Sequence, residues 1–354
     1  MKTFQLLSLS SLLLFTLACE KNNEVVSPLP DLETNVMIRS PQDDFTSFGS
    51  EFARGLGINN SGALTGSTRN ANGVVVAFKL TNHDLWMSDE EVAPNGPPEI
   101  RFSINDRGDI AGHKIVPGGI APVFWKNGQI YDLAVLPGYQ YAEVFDINAS
   151  GQMVGESLNG SWLSPSAMRA TVFSVEGDPI DLGTLGGAKA YAGGINDQGD
   201  IVGGAENALG QTHAFLYKNG VMQDIGTLGG TISNANAINN KGEIAGRSLL
   251  ANGAIRGFLY SDGVMTDLGT LGGASSVAFD INDKGEIVGF SRVSSGQAHA
   301  FLYKDGVMTD LGTLGGIDSR AISINNQGDI IGHYTLADNS VHAFLYRDGE
   351  MIAL

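Results

Sequence analysis

Histidine and aspartate recur at fixed spacings in this chain and are its first candidates for metal or acid–base chemistry. His213, His299 and His342 each open one of seven similar apolar runs, and the other four runs carry Arg, Val or Ala at that place. Because Ala can replace this His, and because repeats keep the copies apart, we interpret it as a strand-edge packing residue rather than a metal ligand or catalyst.

Acidic turns supply a second candidate, a calcium site. The turns are NDRGD, NDQGD and NNQGD, at 105–109, 196–200 and 325–329. They lack the alternating Asp/Asn ligand spacing of known calcium loops, and ordinary turn chemistry already accounts for them. We therefore expect no cofactor, with calcium as the open alternative.

A further Asp precedes a Gly-rich segment in five copies. These residues are Asp132, Asp181, Asp224, Asp267 and Asp310. Their predicted role is to accept hydrogen bonds from backbone N–H groups of the segment that follows. The sequence contains no nucleophile elbow, HExxH motif, P-loop or zinc-ligand cluster. A carboxylate pair assembled from different repeats remains open.

The elements that position these residues are repeats of about 43 residues. The core IN-x-x-G of the unit occurs seven times, starting at Ile58, Ile104, Ile147, Ile195, Ile238, Ile281 and Ile324. In the copy at 299–341, four short stretches have strand character: A (300–303), B (307–311), C (319–324) and D (329–334). Asp305-Gly306 and Asn325–Gly328 are predicted hairpin turns, and the GTLGG segment at 312–316 is expected to interrupt the strands.

Four strands in about 43 residues predict an all-β, seven-bladed propeller over residues 45–354. A parallel β-helix is the alternative, although its coils have shorter periods. The chain begins with strands C and D and ends with A and B. Blades of order C-D-A-B, or of order A-B-C-D with one blade shared by both ends, therefore both fit.

At the residues HAFLY, DLGTLGG and IN-x-x-G, the sequence resembles the HAF-repeat family of predicted extracellular bacterial proteins. The resemblance covers roughly residues 45–354 and is most specific in the four units that carry GTLGG at 183–187, 226–230, 269–273 and 312–316. It implies an exported repeat protein, and it supplies no established catalytic residues.

The N-terminal segment predicts export and lipid anchoring. Residues 1–18 have Lys2 followed by an apolar stretch, which is typical of a signal peptide. Cys19, the only cysteine, follows TLA as in a lipoprotein cleavage site. Residues 19–44 then form the lipidated Cys and a flexible tether. The alternative is ordinary signal cleavage, which would give a secreted protein. The predicted location is the outer membrane or cell surface of a Gram-negative bacterium.

The net charge of the chain argues against some classes of binding partner. The net charge is −17, and removal of residues 1–18, whose one charged residue is Lys2, leaves −18. Such acidity argues against nucleic acid and against charge-driven binding to anionic lipids. We expect a monomer whose contact with the membrane is the N-terminal lipid alone.

Length changes between repeats predict where a ligand binds. Units gain residues in the B–C connections at 86–100 and 137–141 and in the D–A connection at 156–170, where five residues are gained. The A–B and C–D turns are predicted to keep their length. Since B–C and D–A connections emerge on one side of an up-and-down blade, we name that side the variable face.

Aromatic side chains occur in these connections. Trp86, Tyr139, Tyr141 and Trp162 could stack on sugar rings or a protein partner, or they could cap small cores of their own loops. Trp125 is interpreted as a core residue.

A second variable position lies four residues before each IN. It holds Arg54, Ile100, Glu143, Tyr191, Asn234, Val277 and Arg320. If strand C is innermost, these side chains ring the channel mouth on the variable face, and we name them the variable ring. The predicted site combines Arg54, Glu143, Tyr191, Asn234 and Arg320 with the loop aromatics.

These observations predict a protein that binds a glycan or a surface protein outside the cell. A polysaccharide hydrolase or lyase with its site at the channel mouth is the second hypothesis, and a passive scaffold is the third. Enzymatic activity is the less favoured interpretation.

The anchor is tested by Cys19→Ser. This change should abolish incorporation of radiolabelled lipid and release the protein from membranes, while the protein stays folded, because only the attachment point is lost. Wild-type protein that carries no lipid on Cys19 and fractionates like the variant would contradict the prediction.

Overall fold

The computed structural model describes residues 53–81, 84–93, 102–161 and 164–354. The predicted signal peptide, the tether with Cys19, and Trp162 lie outside these ranges. All regular elements in the ranges are β-strands, numbered β1 to β28. No helix long and apolar enough to cross a membrane occurs there.

Each repeat unit contributes four strands in the order C, D, A, B. The first unit contains β1 (Ala53–Ile58), β2 (Leu64–Arg69), β3 (Val75–Leu80) and β4 (Leu85–Ala93). The second contains β5 (Ser103–Ile104), β6 (Ile110–Val116), β7 (Gly119–Lys126) and β8 (Gln129–Asp132). The third contains β9 (Tyr141–Ile147), β10 (Met153–Ser161), β11 (Ser164–Phe173) and β12 (Ile180–Asp181). The fourth contains β13 (Gly186–Ile195), β14 (Ile201–Asn207), β15 (Thr212–Lys218) and β16 (Val221–Gly226). The fifth contains β17 (Gly229–Ile238), β18 (Ile244–Leu250), β19 (Ile255–Ser261) and β20 (Val264–Asp267). The sixth contains β21 (Gly272–Ile281), β22 (Ile287–Val293), β23 (Ala298–Lys304) and β24 (Val307–Gly312). The seventh contains β25 (Asp318–Ile324), β26 (Ile330–Thr335), β27 (Val341–Arg347) and β28 (Glu350–Ala353).

The strands form six sheets of antiparallel meanders. Five sheets have four strands, and the third and fourth units share one sheet of eight. A single parallel bridge, between Met168 and Lys189, joins these two meanders. The number of blades therefore stays a prediction. The first and last units each form a complete C-D-A-B sheet, so this order, rather than a blade shared by both ends, is the one observed.

Turn chemistry agrees with the sequence. Asp305 and Gly306 have φ of 51° and 81°, which is the pair of positive values that a type I′ hairpin turn requires. Gly328 has a φ of 100° at the predicted bulge position of the C–D turn. Both conformations are readily adopted by the residues found there.

One local prediction holds in part, and another was wrong. The GTLGG segments interrupt the strands, as predicted, but some of their glycines belong to the strands: Gly312 ends β24, and Gly229 begins β17 by pairing with Leu250. The third unit is also divided differently. Gly155 pairs with Thr171, whereas Gly289 pairs with Phe301, so the D–A connection gains four residues rather than five.

The fifth extra residue lies in the A–B turn of the third unit. Thr171 pairs with Asp181 across that turn, one residue further along the chain than Phe301 pairs with Asp310. The sequence comparison had placed Ala170 at the position of His299, whereas the strand register places Arg169 there. Length variation therefore falls on the variable face with one exception.

The glycine of strand D lets the strands pack closely. A Cβ at Gly332 would lie 2.6 Å from the ring of Phe344, and it would also overlap the carbonyl oxygen of Arg320. Phe344 is fully buried on β27, between the sheets. The same Gly–Phe pair recurs at Gly66 and Phe78. Only glycine fits, because ring and backbone occupy the space of a side chain.

Strand C is innermost, and consecutive C strands contact one another around the whole molecule. At the end of each, the Asn of IN-x-x-G is buried and its Nδ2 donates to the backbone oxygen of the equivalent Asn in the next unit. The seven donors are Asn59, Asn105, Asn148, Asn196, Asn239, Asn282 and Asn325, at 2.9–3.2 Å. The last bond runs from Asn325 to Asn59. We name this closed set the asparagine ring.

The same side chains hold their own turns. In the seventh unit, Oδ1 of Asn325 accepts hydrogen bonds from the backbone N–H of Gln327, Gly328 and Asp329. One buried side chain thus fixes a turn and ties it to the neighbouring unit. Both halves of the amide are used, which accounts for Asn rather than Asp or Ser at this position.

Asn325→Ala should lower the free energy of unfolding by roughly 2–4 kcal/mol, because buried backbone groups lose their partners in two units. Urea denaturation of the full chain measures this. The control is Gln327→Ala, an exposed residue of the same turn. A difference below roughly 0.5 kcal/mol between the two variants would show that the asparagine ring does not stabilise the fold.

Candidate functional site

The channel has a polar mouth at the tight-turn end, with a volume of about 170 Å³. Around it, residues following the asparagine ring form a second set of bonds between units. Asn60 N–H, for example, donates to Asp106 Oδ1 at 2.9 Å, and Asn326 N–H donates to Asn60 Oδ1 at 2.8 Å. Ala149 interrupts this set because it has no side-chain oxygen. These carboxylates and amides form hydrogen bonds with each other. The polar lining of this mouth therefore has a structural role, which is to join neighbouring units.

The acidic turns are the candidate calcium sites. In the part of the chain that the structure describes, no three or more His, Cys, Asp or Glu side chains are grouped to hold a metal ion. The turn residue Asp109 binds Arg107 at 3.0 Å, and Asp329 binds Arg347 at 2.9 Å. The acidic turns are thus occupied by side chains of their own repeats.

Four of the five recurrent Asp residues have the predicted role, and Asp132 instead forms an ion pair with Lys114 at 2.8 Å. Asp224 Oδ1 accepts a hydrogen bond from Gly226 N–H at 2.8 Å, and Asp310 does the same for Gly312. Asp224 also contacts Nδ1 of His213 at 2.8 Å. His299 and Asp310 form the equivalent pair. These histidines are therefore bound within their repeats, where packing alone had been expected.

Trp86 is a packing residue in the structure. It lies in β4, partly buried against the hydrophobic core of the first two units, with its ring edge-on to Trp125 at 6.5 Å between centroids. The packing of Trp86 supports the interpretation that the loop aromatics cap small cores, rather than the one in which they bind a ligand. Trp125 is buried, as predicted.

The two predicted tyrosines differ in their surroundings. Tyr141 begins β9 and packs on the backbone of the preceding unit, where a Cβ at Gly119 would lie 2.6 Å from its ring. Tyr139 lies in the preceding turn and is partly exposed on the variable face. Both tyrosines are partly exposed.

Ile100 of the variable ring lies outside the described residues. The other six members lie on the innermost strands, where they contact one another or a neighbouring strand D. Glu143 Oε1 lies 3.1 Å from His113 Nδ1, and the buried His113 ring stacks on Phe102. Tyr191 Oη donates to Asn234 Oδ1 at 2.8 Å. Phe145 meets the Tyr191 ring edge-on at 6.2 Å. The structure thus brings Tyr191 and Asn234 together.

Arg54 and Arg320 meet where the seventh unit joins the first. Arg320 is paired in register with His333 of β26. β1 packs on the same strand, because a Cβ at Gly55 would overlap Ile331. Burial, and then the charge of Arg320, lower the pKa of Arg54. Burial and the two arginines lower the pKa of His333 to about 3, so this imidazole is neutral at physiological pH.

Two carboxylates lie deeper along the innermost strands, immediately before IN. Asp146 accepts hydrogen bonds from Ser103 Oγ, Ile147 N–H and Ile195 N–H, which belong to three consecutive units. Burial raises its pKa to about 6, although the hydrogen bonds lower it; the charge of Asp280 adds to the rise. Burial likewise raises the pKa of Asp280, which accepts from Ser323 Oγ.

Sequence reasoning missed His113, His333, Asp146 and Asp280. The signal was present, since the residue before IN varies among Gly, Ser, Asp and Ala, and the residue after the strand D glycine varies among Ser, His, Glu, Gly, Arg and Phe. Of these two positions, the one on strand D pairs directly with the variable ring, as His333 does with Arg320, and the one before IN lies three residues further along strand C.

Comparisons with known proteins identify the fold. No protein-family model matches the chain, and no curated protein matches it. Among solved structures, a puromycin-hydrolysing peptidase of Mycobacterium tuberculosis is similar, with a TM-score of 0.55, 10% identity, and coverage of 86% of this chain and 53% of that one. The β-propeller domain of the Trilobed protease from Pyrococcus furiosus has a TM-score of 0.53 at 9% identity over 85% of this chain and 97% of that domain.

A Pyrococcus horikoshii acylaminoacyl peptidase is also similar, with a TM-score of 0.50 and 12% identity over 86% of this chain and 52% of that chain. This chain therefore spans about half the length of the two peptidases. At such identities the likeness shows the fold alone. The chain folds as a β-propeller, as the repeats predicted.

The raised pKa of Asp146 gives a pH prediction. A carboxyl group that binds its proton more tightly when folded stabilises the protein at low pH, and that stability is lost as pH rises from about 4 toward 6. The free energy of unfolding of wild type minus that of Asp146→Asn should therefore fall by roughly 2–3 kcal/mol between pH 4 and pH 7. Asp262→Asn, at an exposed turn, serves as the control in urea titrations. A difference that rises with pH would contradict the assignment.

Proposed function

We propose that this protein is an exported, lipid-anchored β-propeller that binds a glycan outside the cell, through the channel on its variable face. The observation that carries the proposal is the variable ring. The positions on either side of it hold small buried residues such as Ala190 and Ala192, whereas the ring itself changes from unit to unit. Packing restricts the flanking positions to similar residues in most units. The ring positions are not restricted in this way, so their side chains can differ between units, as a recognition surface requires.

The chemistry of the ring suits a sugar. Tyr191 and Asn234 offer an aromatic face and an amide side by side, and Glu143 adds a carboxylate. Such combinations bind the apolar faces and hydroxyl groups of carbohydrates. Arg54, Glu143, Tyr191 and Arg320 are partly buried, and Asn234 and Val277 are buried. A flat protein surface would reach them poorly, and the end of an oligosaccharide chain would reach them well.

The alternative, a polysaccharide hydrolase or lyase, is supported less well than glycan binding. Cleavage by glycosidases needs two carboxyl groups that face the scissile bond. Asp146 and Asp280 are instead held by backbone and serine donors of adjacent units. Their contacts clamp the innermost strands together. Binding without catalysis therefore accounts for the arrangement with fewer assumptions.

A screen of the full chain, solubilised in detergent, against glycan and surface-protein arrays tests the proposal. Selected ligands are then titrated with variants. Tyr139→Ala and Asn234→Ala, both on the variable face, should weaken glycan binding roughly tenfold each, since each removes one stacking or hydrogen-bonding group. Calorimetry measures the affinity, and circular dichroism confirms that the variants fold.

The control is Lys241→Ala, in a C–D turn on the opposite face. It should bind like wild type. Loss of binding in Lys241→Ala with unchanged binding in both variable-face variants would sink the proposal. Binding of array proteins alone, with no glycan retained, would replace the glycan by a protein partner.

A further inference from the structure

We propose that Arg54, Arg320 and His333 form a subsite for an anionic oxygen group, a carboxylate or sulfate, carried by the glycan. The identification of the ligand as a glycan rests on the proposed function above. The subsite itself rests on the side chains at the junction of the last and first units.

The first observation is a concentration of positive charge in an acidic protein. The chain has a net charge of −17, with 21 Lys and Arg against 38 Asp and Glu. Several basic side chains form ion pairs with carboxylates: Arg107, Lys218 and Arg347 each do so within 3.0 Å. At the junction, two arginines lie close enough for the charge of Arg320 to act on Arg54, and for both charges to act on His333.

Geometry places the three groups together. Arg320 and His333 are directly opposite each other on β25 and β26. Arg54 lies on β1, which packs against β26, with Gly55 over Ile331 and Gly332. The guanidinium of Arg320 also lies 4.8 Å from the centre of the Phe290 ring. Stacking of this kind orients a guanidinium and leaves its N–H edge available for a planar oxygen group.

An unsatisfied atom gives an independent observation. Nδ1 of His333 is buried and has no hydrogen-bond partner among the residues that the structure describes. Buried polar atoms are rarely left without a partner, so each such atom calls for an explanation, of which a bound water, ion or ligand is one. A ligand oxygen held between the arginines would lie beside this imidazole. His333, neutral in the free protein, could then donate to it.

The electrostatics favour an anion over other occupants. Desolvation and like charge make the free site unfavourable, as the lowered pKa values of Arg54 and His333 indicate. A carboxylate or sulfate would relieve both effects and accept charge-assisted hydrogen bonds from two guanidinium groups. A neutral hydroxyl would relieve neither. Arg54 and Arg320 belong to the variable ring, so the anion would be bound within the glycan channel.

The test compares acidic and neutral ligands on the full chain in detergent. Uronate oligosaccharides supply the carboxylate, sulfated oligosaccharides supply the sulfate, and cello-oligosaccharides supply a neutral chain. Inorganic sulfate is the minimal probe. The acidic ligands should bind more tightly than the neutral one, and Arg320→Ala should weaken their binding by roughly tenfold or more. Arg320→Lys should fall between, because it keeps the charge and loses the fork.

The control variant is Arg292→Ala. Arg292 is an exposed arginine that binds the carbonyl oxygen of Gly296 within its own hairpin. It should bind all ligands like wild type. The melting temperature of Arg320→Ala should be no lower than that of wild type, because a like-charge contact is removed. If Arg320→Ala does unfold, Arg54→Gln takes its place.

A spectroscopic readout separates direct contact from a general loss of charge. The chain has six histidines, so histidine-selective labelling resolves them by NMR. Inorganic sulfate should shift the imidazole signal of His333 in wild type and leave it unchanged in Arg320→Ala. Equal binding of acidic ligands by Arg320→Ala and Arg292→Ala, with no shift at His333, would overturn the subsite.

The two proposals can fail separately. Glycan binding that depends on Asn234 and is unaffected by Arg320→Ala would retain the proposed function and reject the subsite. A shift of the His333 signal by inorganic sulfate that depends on Arg320, with no glycan bound on the array, would retain the subsite and reject the glycan as its ligand.

Discussion

The asparagine ring is the interaction on which the rest of this structure depends. Each of its side chains spends its oxygen on its own turn and its nitrogen on the neighbouring unit, so local folding and assembly are fixed by the same buried atoms. The first and last units are complete sheets and share no strand. The bond from Asn325 to Asn59 and the packing of β1 on β26 therefore join the ends of the propeller. Closure by side chains and packing takes the place of closure by a shared sheet.

Because of this arrangement, the two ends of the channel differ in how much sequence change they tolerate. At the tight-turn end, Asp106, Asp197 and Asp283 bind the turns of neighbouring units, and a change in one would disturb two. At the variable end, strand C starts within connections whose length and composition differ between units. Side-chain contacts there differ from unit to unit: Glu143 contacts His113, whereas Tyr191 contacts Asn234 and Phe145. Structural demands are thus concentrated at one mouth, and the other can diversify.

The sequence predicted the architecture well, because each strand and turn has a local cause. Asp305-Gly306 encodes its hairpin through backbone conformation, and alternating apolar residues encode the strands on either side. It predicted the third unit poorly. Two phenylalanines, Phe173 and Phe301, are both fully buried but occupy different registers, and a pattern of residue types cannot separate burial from register.

The candidate site was predicted in part for a similar reason. Spacing identified Arg54 and Arg320 as equivalent positions in different units, but it could not place the two side chains at the same junction. Their proximity follows from closure of the ring, which brings residues 266 positions apart into hydrogen-bonding contact nearby. His333 became visible only once strands C and D were paired in register. Trp86 shows the opposite error, since a tryptophan in a long connection was expected to be exposed and packs on Trp125 instead.

The junction between the last and first units is also where a binding site does least harm to a repeat protein. Within the array, each innermost strand lies between strands of similar sequence, and mostly Ala, Ser or Gly flanks the variable ring. At the junction, a Cβ at Gly55 would overlap Ile331, so β1 packs closely on β26. The same junction carries the two arginines of the variable ring. A repulsive pair such as Arg54 and Arg320 lowers stability, and the asparagine ring with its buried neighbours offsets that cost. Stability supplied by identical residues in every unit thus permits unlike residues at the one place where the ring closes.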